Sequence, residues 1–141
     1  MDEERLVEGG CHCGAIRYRV TGEPVGVFHC HCTDCQKITG SAAEAVALYP
    51  RNMFECVKGE PVVYNTMGES GKMLRRNFCS VCGSLLFGVP EAIEHMISVM
   101  LPSMDDSSWV SEPAHIYVDH AQSWAPIPEN AVTFPRMPPM E

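Results

Sequence analysis

Apolar and polar positions alternate along this chain in short runs separated by turn residues. In Ala15–Val20, Ile16, Tyr18 and Val20 fall on one face and Arg17 and Arg19 on the other, the period of a half-buried strand. Thr21-Gly22-Glu23-Pro24 reads as a turn, and Val25–His29 as an apolar strand running back. The same reading predicts strands at Ala45–Tyr49, Met53–Val57, Val62–Thr66, Lys72–Phe78, Ser84–Val89, Met96–Met100 and His115–Val118. Thr33–Thr39 is the best short helical candidate, starting at a Thr-Asp pair suited to an N-cap and ending at Gly40. Residues 43–48 are helical by propensity alone, so that stretch has two readings. Short strands at 8–12-residue intervals predict a mainly β fold, a twisted sandwich or partly open barrel. One domain over residues 1–141 is expected, with its core at about 9–124 and an irregular tail at 128–141.

Composition narrows the partners. Eighteen acidic residues against ten basic ones give a net charge of −8, which argues against a nucleic-acid backbone. No uninterrupted apolar stretch is long enough for a membrane span. The opening Met1-Asp2-Glu3-Glu4-Arg5 is acidic where a secretory signal would be basic, so a cytoplasmic location is expected. Eight cysteines in such a setting are metal-bound, catalytic or buried rather than disulfide-bonded.

Seven of the eight fall into three clusters: Cys11-His12-Cys13, Cys30-His31-Cys32-Thr33-Asp34-Cys35 and Cys79-Ser80-Val81-Cys82. Thiolates one or two residues apart can grip one zinc ion, because a tight turn brings both sulfurs to a common point. The first and third clusters supply two sulfurs each, enough for a closed tetrahedral site, and Gly14 and Gly83 follow them where the backbone must turn. The central cluster supplies three, enough for a second zinc with one position open. Closed sites are structural and open ones catalytic, so Cys30, Cys32 and Cys35 are the candidate reactive ligands. Spacing alone leaves other partitions open, including a second structural site capped by His29, His31 or Asp34. Cys56, between Phe54 and Val57, reads as an inert core thiol.

Two further groups carry candidate chemistry. His29 and His31 flank the central trio and could move a proton, or could instead shape the turn through backbone hydrogen bonds. Lys72, Arg75 and Arg76 crowd into five positions just before Cys79, suited to substrate carboxylates or, alternatively, to a solvated strand face. His12, His95, His115 and His120 show no metal-like spacing.

The segments Gly9-Gly10-Cys11-His12-Cys13-Gly14-Ala15-Ile16-Arg17-Tyr18, His29–Lys37 with Gly40, Arg76–Ser84, and Ala114–Val118 with Trp124 together resemble the glutathione-dependent formaldehyde-activating (Gfa-like) family. The resemblance runs in the family's order over most of the chain. It implies an Mss4-like β fold with two zinc ions, one held by Cys11, Cys13, Cys79 and Cys82 and a catalytic one by Cys30, Cys32 and Cys35. It also implies a carbon–sulfur lyase joining a thiol such as glutathione to formaldehyde as S-(hydroxymethyl)glutathione. After Trp124 the family tends to carry an aromatic residue and an acid, whereas Ala125, Pro126 and Ile127 stand here. A zinc-stiffened binding module without turnover and a thiol/zinc redox-responsive protein are the alternatives on the same scaffold.

Overall fold

The computed structural model describes residues 4–68 and 71–138. The acidic opening at residues 1–3 and the last three residues of the tail lie outside them. Among the described residues ten strands and one α-helix follow one another: β1 (Leu6–Gly10), β2 (Arg17–Thr21), β3 (Gly26–Cys30), α1 (Thr33–Thr39), β4 (Glu44–Pro50), β5 (Phe54–Lys58), β6 (Val62–Met67), β7 (Met73–Phe78), β8 (Leu85–Pro90), β9 (Met96–Met100) and β10 (Ala114–Ile116). They form a three-stranded sheet in the order β1-β2-β5 and a seven-stranded sheet in the order β10-β3-β4-β9-β8-β7-β6, not closed into a barrel.

The alternation in β2 does what the sequence asks of it. Ile16, Tyr18 and Val20 are buried and Arg19 is exposed. With Tyr49, Leu86, Ile97 and Val99 they form the main core. Tyr18 keeps its hydroxyl inside by bonding Ser103 Oγ at 2.6 Å. Gly9 on β1 lets that ring approach, since a Cβ there would stand 2.4 Å from the Tyr18 hydroxyl.

The departures from the sequence reading are local. β1 was not anticipated, because Glu8-Gly9-Gly10 carries a turn's composition, yet it pairs antiparallel with all of β2. The stretch with two readings is strand: β4 takes its place between β3 and β9, where both edges of its backbone are paired. β10 stops at Ile116 because Tyr117 adopts a left-handed conformation, φ 55°, and a 3-10 turn over Val118–His120 follows. The described part of the tail has no strand of its own, but Val132 and Phe134 exchange backbone hydrogen bonds with His115, so it lies along β10. Cys56 is not a core thiol. β5 is the edge of the small sheet, and Cys56 is exposed, its sulfur reaching only the carbonyls of Lys58 and Gly59.

Candidate functional site

Cys11 and Cys13 sit in the turn between β1 and β2, and Cys79 and Cys82 in the turn between β7 and β8. The two turns belong to different sheets, so their meeting ties the sheets together. The four sulfurs lie within 4.8 Å of one another, with Cys11–Cys13 at 3.6 Å and Cys13–Cys79 at 3.8 Å. A tetrahedral ion with bonds of about 2.3 Å to sulfur requires sulfurs about 3.8 Å apart, so the set fits a metal without rearrangement. Backbone N–H groups are already aimed at the sulfurs: Ile16 donates to Cys11, and Val81 and Cys82 donate to Cys79. Gly14 and Gly83, at φ 82° and 78°, supply the left-handed turns that turn these amides inward. Ser84 adds a bond to Cys82 and, with a backbone bond, pulls that thiol down to about 5, while Cys13 is pushed up to about 11.

The central trio forms where β3 meets α1. Cys30 ends the strand, Cys32 caps the helix by accepting from Cys35 N at 3.3 Å, and Cys35 lies buried in its first turn. Their three sulfurs are also mutually within 4.8 Å, and no fourth histidine, cysteine or carboxylate joins them among the described residues. Hydrogen bonds from Cys30 and Cys35 pull Cys32 down to about 2, while Cys32 pushes Cys30 up to about 12, and Cys30 and Cys32 together push Cys35 further still. One sulfur ionises readily and the others resist, as expected of crowded like charges until a cation sits among them. Both groups therefore fit a bound metal ion.

Arg76 reaches this trio from β7. It is 3% exposed, its Nη2 stands 3.8 Å from Cys35 Sγ, and its Nη1 donates to Glu44 Oε2 at 3.2 Å. Its Nε donates to Thr66 Oγ1, so each of its three nitrogens has a partner. Burial works against its charge, but Glu44 and Cys35 more than offset this and raise it. Glu44 lies directly opposite Cys30 in the β3–β4 register. The three basic residues singled out from the sequence are thus separated: Arg76 is internal, whereas Arg75 and Lys72 are exposed.

On the other face of β3, three histidines stack. The parallel β3–β10 register places His115 beside His29 and Ile116 beside Cys30, so alternation sends the histidines one way and the cysteine the other. His29 and His115 have ring centroids 4.8 Å apart, and His31 Nε2 bonds His115 Nδ1 at 2.8 Å. His31 is 3% exposed and its Nδ1 is buried without a partner. Burial lowers the basicity of all three, and for His29 and His31 their neighbouring imidazoles lower it further. His115 was invisible to spacing because it lies 84 residues from His31 and is brought to it only by a parallel strand pairing. Gln36 fixes the surroundings by donating to the carbonyls of His31 and His120.

The histidines open onto a cleft of about 1110 Å³. Its walls include His12, Arg17, Glu44, Asp105 and the segment Trp124-Ala125-Pro126, together with the end of α1 at Ile38 and Thr39. Cys30, Cys32 and Cys35 do not line it; they lie behind the wall, packed with Ile116, Phe28 and Phe134. Arg17 is held at the rim by Asp105 through two hydrogen bonds of 3.0 and 2.5 Å.

Comparison with known proteins agrees with this architecture. A crystal structure of a Rhodobacter sphaeroides protein superposes with a TM-score of 0.60 at 19% identity, covering 77% of this chain and 98% of that one, a likeness of fold. A curated relative from Halomonas elongata, named "Putative glutathione-dependent formaldehyde-activating enzyme", is 28% identical over 127 residues, 86% of this chain and 81% of the relative. The family model for the glutathione-dependent formaldehyde-activating enzyme matches residues 6–120, from β1 through both cysteine groups and His115 to the last 3-10 turn, and the chain belongs to that family.

Proposed function

We propose that this chain is a zinc-dependent carbon–sulfur lyase that makes and breaks the adduct of a thiol with an aldehyde, of the S-(hydroxymethyl)glutathione type. The observation that carries this reading is the contrast between four grouped sulfurs and three. Cys11, Cys13, Cys79 and Cys82 would hold a saturated structural zinc. Cys30, Cys32 and Cys35 would hold a second with one position free. Zinc in such a site, when bound, supplies a soft acceptor that favours the thiolate form of a substrate thiol.

The chain's own residues do the rest. In the synthetic direction the thiol loses its proton, the C–S bond forms, and the carbonyl π pair moves onto oxygen, which takes up a proton. In the reverse direction the hydroxyl loses its proton, the oxygen's pair re-forms the carbonyl as the C–S bond breaks, and the departing sulfur takes up a proton. The paired imidazoles of His31 and His115, 2.8 Å apart and tied to the trio's turn through His31 itself, offer a donor and an acceptor for moving that proton. Arg76 steadies Cys35, and Glu44 holds Arg76 in place.

Thiols and formaldehyde combine in water unaided, so only the rate of exchange is informative. Exchange spectroscopy on thiol–formaldehyde mixtures should show acceleration by the zinc-loaded protein over albumin at equal thiol concentration. The acceleration should vanish in Cys32→Ser and weaken in His31→Ala. Saturable thiol binding without acceleration would instead identify a binding module.

A further inference from the structure

Among the described residues, Tyr117 is the one residue other than glycine with a left-handed backbone, φ 55°. Such a conformation is strained for a residue with a Cβ and persists only where its surroundings impose it. Here the tail imposes it. Tyr117 N donates to the Arg136 carbonyl and Val118 N to the Phe134 carbonyl, both at 3.2 Å, while His120 N closes the next turn on the Tyr117 carbonyl at 3.0 Å. The consequence is a change of face. Along β10, His115 points to the other imidazoles and Ile116 to the cysteines, so plain alternation would return Tyr117 to the imidazole side. The left-handed turn instead packs its side chain against the cluster of Cys30, Cys35 and Ile116.

The tail adds a second ring by ordinary alternation. Thr133 pairs in parallel with His115, which puts Phe134 on the same side as Ile116 and Cys30. Phe28, two residues before Cys30 on β3, shares that face. The other approaches to the trio are taken. Toward β7 stands Arg76, held by Glu44 and Thr66. Toward the histidines, the large cleft does not reach the three cysteines. Cys30 and Cys35 are buried and Cys32 is half-buried, so the surface the trio keeps belongs mainly to Cys32, packed into the same aromatic group.

We propose that Tyr117 and Phe134 are specificity-determining residues: their rings form the mouth of the trio's open position and admit substrates unbranched at the reacting atoms, a primary thiol and formaldehyde. This rests on the thiol–aldehyde reading. Neither ring is charged, so the mouth sorts by bulk beside the sulfur and the carbonyl carbon. The remote charges of a thiol such as glutathione do not enter the selection.

The test titrates N-acetylcysteine and N-acetylpenicillamine, which differ only in the methyl groups beside the sulfur, into the full chain loaded with cobalt. Its sulfur-to-metal absorption reports a thiol entering the trio's site without turnover. On the zinc-loaded chain, exchange spectroscopy with glutathione compares formaldehyde with pivalaldehyde. The wild type should bind the primary thiol about tenfold more tightly than the tertiary one and accelerate exchange of formaldehyde alone. Tyr117→Gly removes one ring while suiting the left-handed backbone, and Phe134→Ala removes the other. Each should narrow the thiol preference to about threefold or less, and Tyr117→Phe should keep it. A general loosening of the fold would weaken both thiols alike and leave their ratio unmoved. If the wild type binds both thiols equally, or its preference survives in both ring-removing variants, the inference is overturned while accelerated formaldehyde exchange keeps the lyase reading. If the preference follows the rings but no exchange is accelerated, the mouth stands and the lyase reading fails. If neither thiol binds, both fail.

Discussion

Replacing Arg76 by methionine removes a charge from the best-enclosed ion pair among the described residues while keeping the side chain's bulk. Arg76 and Glu44 side chains are 4% and 9% exposed and 3.2 Å apart. At an effective dielectric of about 20, their attraction is roughly 5 kcal/mol before desolvation is counted. Removing one partner of such a pair costs about 3–5 kcal/mol, because the other charge stays buried with no counterpart. For a domain of this length that corresponds to a melting temperature lower by roughly 10–17 °C. Replacing both residues by methionine should recover most of the loss, since apolar pairs often match buried ion pairs in stability. Urea unfolding of the wild type, both single variants and the double variant, at fixed free zinc, gives the coupling energy directly. A single variant losing less than about 1 kcal/mol would refute the reasoning, as would additive losses in the double variant. A second readout concerns sulfur. With Cys35 deprived of the cation 3.8 Å away, Arg76→Met should release the ion of the central trio faster to a chelator, and Arg76→Lys should restore part of the delay.

Other expectations follow from the same geometry. Cys11→Ser should cost solubility and melting temperature by unfastening the two sheets, whereas Cys32→Ser should leave the fold intact and remove one ion, as circular dichroism and elemental analysis would show. Burial lowers the basicity of His115 in the fold relative to the unfolded chain, which protonates near pH 6.5, so its contribution is complete above that pH and is lost as pH falls through the lower folded value. His115→Phe should accordingly flatten the decline of stability between pH 7.5 and about 5.5 in zinc-saturated protein; an unchanged slope would remove His115 from that account. Alkylation of the metal-loaded protein followed by mass spectrometry should find Cys56 modified first, since its thiol is exposed and lies outside both metal-binding groups.

Much of this arrangement was legible in the sequence because it rests on local chemistry. The paired spacing of Cys11/Cys13 and Cys79/Cys82 and the glycines after them fix two tight turns, and the alternation in residues 15–20 fixes which side of β2 is core. Thr33–Thr39 is helical within the bounds that Thr33 and Gly40 suggested, with Gly40 in the left-handed conformation at its end. What remained hidden depends on long-range pairing. No local pattern places His115 against His31, because that contact needs β10 to lie parallel to β3. Adjacent Arg75 and Arg76 look equivalent in the sequence, yet strand alternation sends one outward and the other into a pocket whose acid comes from β4. Cys56 misled for a related reason: its apolar neighbours suggest a core strand, and only the sheet order shows that β5 is an edge.

The proposed chemistry needs one site closed and the other open, and exchange of zinc for the NMR-active cadmium isotope reads the two separately. Cadmium resonances report the number of coordinating thiolates, so the fully loaded protein should show two signals, one in the four-thiolate region and one displaced toward mixed coordination. Adding cysteamine should move only the second signal toward the first, as a substrate sulfur takes the free position beside Cys30, Cys32 and Cys35. Two four-thiolate signals at the outset, or a second signal indifferent to added thiol, would contradict the open site on which the proposed chemistry depends.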